Sequence, residues 1–68
     1  MMNWVQIKSN WQQVSEQIKV TWGKLGEEDL AMIAGERDLL CGLLQQRYGY
    51  EQAQAETMID NFTRGLNL

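Results

Sequence analysis

Residues 4–22, WVQIKSNWQQVSEQIKVTW, decide the fold that this chain can adopt. At about 100° per residue, the apolar side chains of this stretch fall within a sector of roughly 80° on a helical surface. They are Trp4, Ile7, Trp11, Val14, Ile18 and Trp22. The pattern predicts a first helix over residues 4–21 with one narrow stripe that buries Trp11 and Trp22. Asn3 is a suitable N-cap, and Gly23 is placed to end the helix in a left-handed conformation.

The second helix is predicted from three adjacent acids at positions 27–29. These acids follow Gly26, and negative charge in a first turn is stabilised by the helix dipole. We therefore expect a short helix over residues 27–34.

The third predicted helix follows Gly35 and covers residues 36–48. Its buried side chains are expected to be Leu39, Leu40, Leu43, Leu44 and Tyr48. Gly42 in the middle lowers helix stability by about 1 kcal/mol relative to alanine, so we expect another element to approach closely there. Gly49 is expected to end the helix in a left-handed conformation.

A fourth helix is expected over residues 51–64, which makes residues 1–68 a single all-α domain. Short connections fold neighbouring helices back or across one another. The favoured architecture is therefore a compact four-helix domain of two crossed helical hairpins. An up-down bundle is the alternative.

The chain has one cysteine and no histidine, which restricts its chemistry. Cys41 can form no intrachain disulfide, and the sequence does not supply the ligands of a zinc site. A single thiol is typical of a reducing compartment, the N-terminal residues lack the pattern of a signal peptide, and no apolar run reaches the length of a membrane span. We therefore expect a cytoplasmic protein with no cofactor and no stable membrane insertion.

The net charge of −3 is distributed unevenly. Residues 1–25 carry three lysines and one glutamate, a charge of +2, whereas residues 26–68 carry three arginines and eight acids, a charge of −5. We expect the two halves to face each other within a monomer, with weak head-to-tail self-association as the alternative. Exposed ion pairs contribute only about 0–1 kcal/mol each.

The cysteine and the acidic cluster each have a simple structural explanation. Cys41 lies among leucines and is expected to be a small buried apolar residue, not a redox sensor. Glu27, Glu28 and Asp29 point in different directions on one helical turn, so we expect them to stabilise a helix end and not to bind a cation.

Two pairs of acids could in principle serve as a general acid and base. The pairs Glu36–Asp38 and Glu56–Asp60 would need a pocket that perturbs at least one pKa, and on exposed faces such groups are solvated. The sequence therefore predicts no catalytic, cofactor-binding or metal-ligating residue, and no enzyme.

Two surfaces could bind a partner. Trp4 with Met1 and Met2 would form an apolar end suited to a partner protein or a membrane surface. The cations of the first half of the chain are Lys8, Lys19 and Lys24. Because six cations are scattered among nine acids, nucleic-acid binding is not expected, and a weak nucleic-acid-binding module is the alternative function.

The chain resembles the CsbD-like family of small bacterial stress-response proteins. The matching text includes Asn3-Trp4, Asn10-Trp11, TWGKL at 21–25, Ala34-Gly35, Arg37-Asp38-Leu39 and RYGY at 47–50. It departs from the family at Gly26, where Thr or Ser is usual, and over residues 12–19, which are less basic. The resemblance implies two crossed hairpins, similar to SAM-like domains, with no established catalytic residue. The expected function is that of a non-catalytic stress-response protein that acts through abundance or a transient protein partner.

Overall fold

The computed structural model describes residues 3–66, which form five helices and no β-strand. The helices are α1 (Trp4–Ser9), α2 (Trp11–Thr21), α3 (Glu27–Ile33), α4 (Arg37–Tyr48) and α5 (Gln52–Arg64). The predicted all-α class is confirmed for these residues. The crossing of two hairpins stays a prediction, and the expected number of four helices is wrong because the first one is broken.

The break lies at Asn10, which separates α1 from α2. Its backbone leaves helical geometry at φ −113° and ψ 31°, and its side-chain Nδ2 donates a hydrogen bond of 2.9 Å to the carbonyl oxygen of Gln6. A short amide side chain competes in this way with the backbone for helical hydrogen bonds. The prediction of one helix over residues 4–21 is therefore wrong, although Ile7, Val14 and Ile18 are all fully buried along its expected stripe.

The turn after α2 also differs from its prediction. Helix α2 ends at Thr21, and Trp22 adopts an extended conformation with φ −123°. Among the described residues, positive φ angles occur at Ala34, Gly35 and Gly49, not at Gly23. Gly23 is therefore not a left-handed cap.

Helix α3 begins at Glu27, as predicted, and ends at a pair of left-handed residues. Ala34 has φ 47° and Gly35 has φ 83°. A Cβ atom at Gly35 would lie 2.9 Å from the Cα atom of Lys8 in α1, which is closer than van der Waals contact allows. Glycine is therefore required at position 35 both by its backbone conformation and by the approach of α1.

Helices α4 and α5 pack against each other and provide much of the core. Fully buried side chains from both include Leu40, Leu44, Ala55 and Ile59. Gly49, with φ 72°, ends α4 in the predicted left-handed conformation.

Two expectations for α4 are wrong. Leu39 was expected inside the core, but it is 50% exposed. In the described part of the chain no other element approaches Gly42 closely, as a Cβ atom built there would meet nothing within 4 Å. Both residues lie on the side of α4 that faces solvent.

The tryptophans of the N-terminal stripe are buried to different degrees. Trp22 is 4% exposed, and its ring centroid lies 5.1 Å from that of Phe62 in α5. Trp11 packs against the core, as expected, but its side chain is only partly buried. Its indole Nε1 donates a hydrogen bond of 3.2 Å to the carbonyl oxygen of Leu30. Leu25, which lies in the connection between α2 and α3, is almost fully buried.

Candidate functional site

The most buried carboxylate of the acidic cluster belongs to Asp29. Its Oδ2 accepts a hydrogen bond of 3.2 Å from the backbone amide of Gly26, and its Oδ1 lies 2.9 Å from Nη2 of Arg47 in α4. The hydrogen bond from Arg47, followed by the one from Gly26, holds the pKa of this carboxyl below its ordinary value of 3.8. Because folding lowers this pKa, the stabilisation is present above that value and is lost as pH falls through the folded-state pKa.

The other two acids of the cluster point away from Asp29. Oε1 of Glu27 lies 3.0 Å from Nζ of Lys19, whereas Glu28 is exposed. Residues 3–66 contain no group of three side chains arranged to hold a metal ion. The predicted role of stabilising the start of α3 is confirmed for Asp29, whose carboxylate accepts a hydrogen bond from the backbone amide of Gly26, the N-cap of α3.

Most carboxylates of the two candidate acid–base pairs form ion pairs with cationic side chains. Arg37 is the first residue of α4, and its side chain reaches α5. Its Nη2 lies 3.0 Å from Oδ1 of Asp60, and its Nη1 lies 4.0 Å from Oε1 of Glu56. Oε1 of Glu36 lies 2.6 Å from Nζ of Lys8. Three of the four carboxylates therefore form ion pairs, Glu36 with Lys8 and both Glu56 and Asp60 with the shared Arg37. Asp38 forms no ion pair within residues 3–66.

Cys41 is buried in α4, as predicted. Burial raises the pKa of its thiol, the carboxylate of Glu56 raises it further, and the opposing effect of Arg37 is smaller. The thiolate is the reactive form of cysteine, so this environment disfavours nucleophilic chemistry.

The lysines of the N-terminal half do not form an open basic patch. Lys8 and Lys19 pair with the carboxylates of Glu36 and Glu27 in the C-terminal half. Nζ of Lys24 lies 5.0 Å from the centroid of the Tyr48 ring. The two halves of the chain thus partly neutralise each other within one molecule, as expected.

The apolar end predicted around Trp4 is only partly described by the structure. Trp4 is half-buried against the core, next to the exposed Val5. Met1 and Met2 lie outside the described residues.

A surface groove that the sequence analysis missed lies between α3 and α4. It has a volume of about 300 Å³ and is lined by Met32, Asp38, Leu39, Gly42, Leu43 and Gln46. Met32 and Leu39 are 62% and 50% exposed. The only sequence signal for this groove is Gly42, which was interpreted as an internal packing position.

Comparison with known proteins gives several close relatives. UPF0337 protein YjbJ of Escherichia coli O6:H1 is 41% identical over 63 residues, which cover 93% of this chain and 91% of the relative. YjbJ of Salmonella typhimurium is 46% identical over 56 residues, covering 82% and 80%. UPF0337 protein ECA0631 of Pectobacterium atrosepticum is 44% identical over 61 residues, covering 90% and 88%. No family model matches the chain.

The five described helices are short, the longest being the 13 residues of α5. A membrane-spanning helix needs about 20 consecutive, predominantly apolar residues. Within residues 3–66, no helix is both long enough and apolar enough to cross a membrane.

Proposed function

The chain belongs to the UPF0337 family, which is the CsbD-like family, and from this premise we propose that it is a non-catalytic, cytoplasmic stress-response protein. It forms a single domain over residues 1–68 and acts through its abundance or through a transient protein partner. The stress-related role is taken from the family resemblance.

One observation carries the non-catalytic part of the proposal. Three of the four carboxylates considered for acid–base chemistry are engaged by cations, Glu36 by Lys8 and both Glu56 and Asp60 by Arg37. A general acid or base must be free to exchange a proton with a substrate near neutral pH. Groups held in ion pairs that also cap or join helices serve the fold instead.

The cytoplasmic location and the monomeric state are supported by two other features. Cys41 is a buried free thiol, which suits a reducing compartment. The ion pairs Lys8–Glu36 and Lys19–Glu27 use the opposite charges of the two halves within one molecule. A second copy would have to compete with these contacts.

A titrated complementation experiment tests the proposal. In a strain that lacks the gene, growth under osmotic stress is measured while the amount of protein is varied with an inducible promoter. A protein that acts by abundance or stoichiometric binding should rescue growth in proportion to its amount. Full rescue at a small fraction of the natural amount would indicate turnover and overturn the non-catalytic assignment, and no rescue at any amount would overturn the stress-related role.

The variant Asp60→Asn is the matched test for catalysis by the Glu56–Asp60 pair. An exposed ion pair contributes only about 0–1 kcal/mol, so this variant should stay folded and should rescue growth as the wild type does. Circular dichroism verifies its folding. A folded Asp60→Asn protein that fails to rescue would point to chemistry at this carboxylate.

Nucleic-acid binding remains the rival class, and the positions of the lysines oppose it. Lys8 and Lys19 are already paired with carboxylates, whereas binding to phosphates requires clustered, available cations. Titration of labelled duplex DNA at low salt should show no shift. A shift that fades as salt is added would favour the nucleic-acid-binding function over the stress-related function without a nucleic-acid partner.

A further inference from the structure

We propose that the groove between α3 and α4 is a docking site for a basic amphipathic helix of a partner protein. This inference rests on the proposed function, because it names the surface through which a transient partner would be bound. Three features of the groove carry it: its exposed apolar walls, its glycine floor and its acidic rim.

The apolar walls are formed by residues that the core of this chain does not use. Met32 projects from α3 and is more than half exposed, and Leu39 projects from α4 and is half exposed. Leu43, which also lines the groove, is almost fully buried. The lining extends from Asp38 to Gln46, which is about 12 Å along a helix, or roughly two turns. A groove of this length between two helices suits the apolar face of a third helix.

Gly42 lines the groove as its glycine floor, and no contact within residues 3–66 accounts for a glycine there. Its φ angle is not positive, it lies in the middle of α4, and a Cβ atom there would meet open space. Glycine at such a position lowers helix stability by about 1 kcal/mol relative to alanine. An incoming helix accounts for it, because a missing side chain lets a second backbone approach closely.

The rim of the groove is negative. Asp38 lines it, and Glu28 lies one turn before Met32 on α3; both acids are exposed, and neither belongs to an ion pair within residues 3–66. The two cations of α4 are Arg37, which is adjacent to Asp38, and Arg47. Both are already engaged elsewhere, Arg37 by Asp60 and Glu56 in α5 and Arg47 by Asp29 in α3. No lysine or arginine lines the groove, so charge complementarity favours an occupant with lysine or arginine beside its apolar face.

A second copy of this chain is the less suitable occupant. Its basic half has Lys8 and Lys19 engaged by its own carboxylates, so few free cations remain to meet the acidic rim. A partner segment that brings its own cations meets the acidic rim without breaking these pairs.

Fluorescence anisotropy with a synthetic peptide tests the proposal. The probe is a fluorescein-labelled peptide of about four helical turns, with leucines spaced three and four residues apart and lysines on both flanks. We expect binding with a Kd of about 10–100 µM that weakens as salt is added. The same peptide with glutamates in place of the lysines should not bind, because the rim repels it.

The variant Gly42→Gln separates binding from folding. Glutamine favours helix and its side chain enters open space, so thermal stability should be equal to or above that of the wild type, while the peptide affinity falls by at least about tenfold. The double variant Glu28→Gln with Asp38→Asn should weaken binding and flatten its salt dependence. Val20→Ser and Glu16→Gln, which change exposed residues outside this groove, are the matched controls and should bind as the wild type does.

Three results would overturn the inference: undetectable binding of the lysine peptide at about 1 mM, equal binding by Gly42→Gln, or self-association of the chain that Gly42→Gln abolishes. Complementation distinguishes this failure from that of the proposed function. Full rescue by Gly42→Gln would show that the groove is dispensable and leave the stress-related role intact. Failure of the wild type to rescue would remove the role while the peptide data still stand.

Discussion

The two sides of α4 carry similar residues but have different environments. Leu40 and Leu44 are fully buried against the rest of the core, whereas the neighbouring Leu39 is half exposed beside Gly42. The helix therefore has one leucine row that holds the domain together and a second row that borders a surface groove. A broad apolar face on a helix can therefore include one row of buried side chains and a second row that is exposed to solvent.

Leu44→Ala should lower the free energy of unfolding more than any other substitution of α4 considered below, because it removes a fully buried side chain from the inner leucine row. Large-to-small substitutions in a core lower the free energy of unfolding by about 2–5 kcal/mol, and we expect about 3 kcal/mol here. Urea denaturation measures it. A loss below about 1 kcal/mol would remove the distinction between the two rows.

Gly49→Val should destabilise the protein by about 2 kcal/mol, because a β-branched residue strongly resists the left-handed conformation that ends α4. The free energy of unfolding from thermal denaturation measures this change. Gly49→Asn is the control, since asparagine tolerates this region of backbone space, and it should be less destabilising. Equal stability of the valine variant and the wild type would contradict the assigned conformation.

Gly42→Ala should change stability in the opposite direction to Gly49→Val, since Gly42 lies inside α4 whereas Gly49 ends it. Alanine should raise the free energy of unfolding by about 1 kcal/mol, since it improves helix propensity and meets no neighbouring atom. A higher midpoint in urea with an unchanged slope is the expected observation. Destabilisation would mean that another element does pack on this position.

Leu39→Ser should have the smallest effect, with a change in the free energy of unfolding within about 0.5 kcal/mol, because the side chain is half exposed. The same urea measurement applies, with Leu40→Ser as the buried counterpart. If the two serine variants were equally destabilised, Leu39 would belong to the core after all.

The helical class and most of the buried stripe could be predicted from spacing alone. Ile7, Val14 and Ile18 recur with helical period among polar residues, and each is fully buried. Gly49 could be predicted as a helix end because it follows a long apolar segment. These features depend on local sequence, where backbone preference and burial indicate the same structure.

The errors occur where local preference is weak or where tertiary contacts decide. Asn10 breaks the first helix by a side-chain hydrogen bond that also occurs inside loops and caps, so the sequence offers no sharp signal for it. Leu39 and Leu40 are adjacent and chemically identical, and only the position of α5 determines which one is buried.

The groove could not be predicted because it depends on how α3 and α4 are joined. The left-handed pair Ala34 and Gly35 sets the angle at which the two helices meet and thus places Met32 beside Leu39. The Asp29–Arg47 pair, 18 residues apart in sequence, joins the same two helices and has no local signal either.

The buried position of Cys41 gives this protein an intrinsic reporter of its own fluctuations. It is the sole thiol of the sequence and is 7% exposed, so opening of the helices around it increases the access of an alkylating reagent to its sulfur. The rate of alkylation in native buffer therefore rises with the population of opened molecules, and no label has to be introduced. The reporter lies in α4, the helix that borders both the core and the groove.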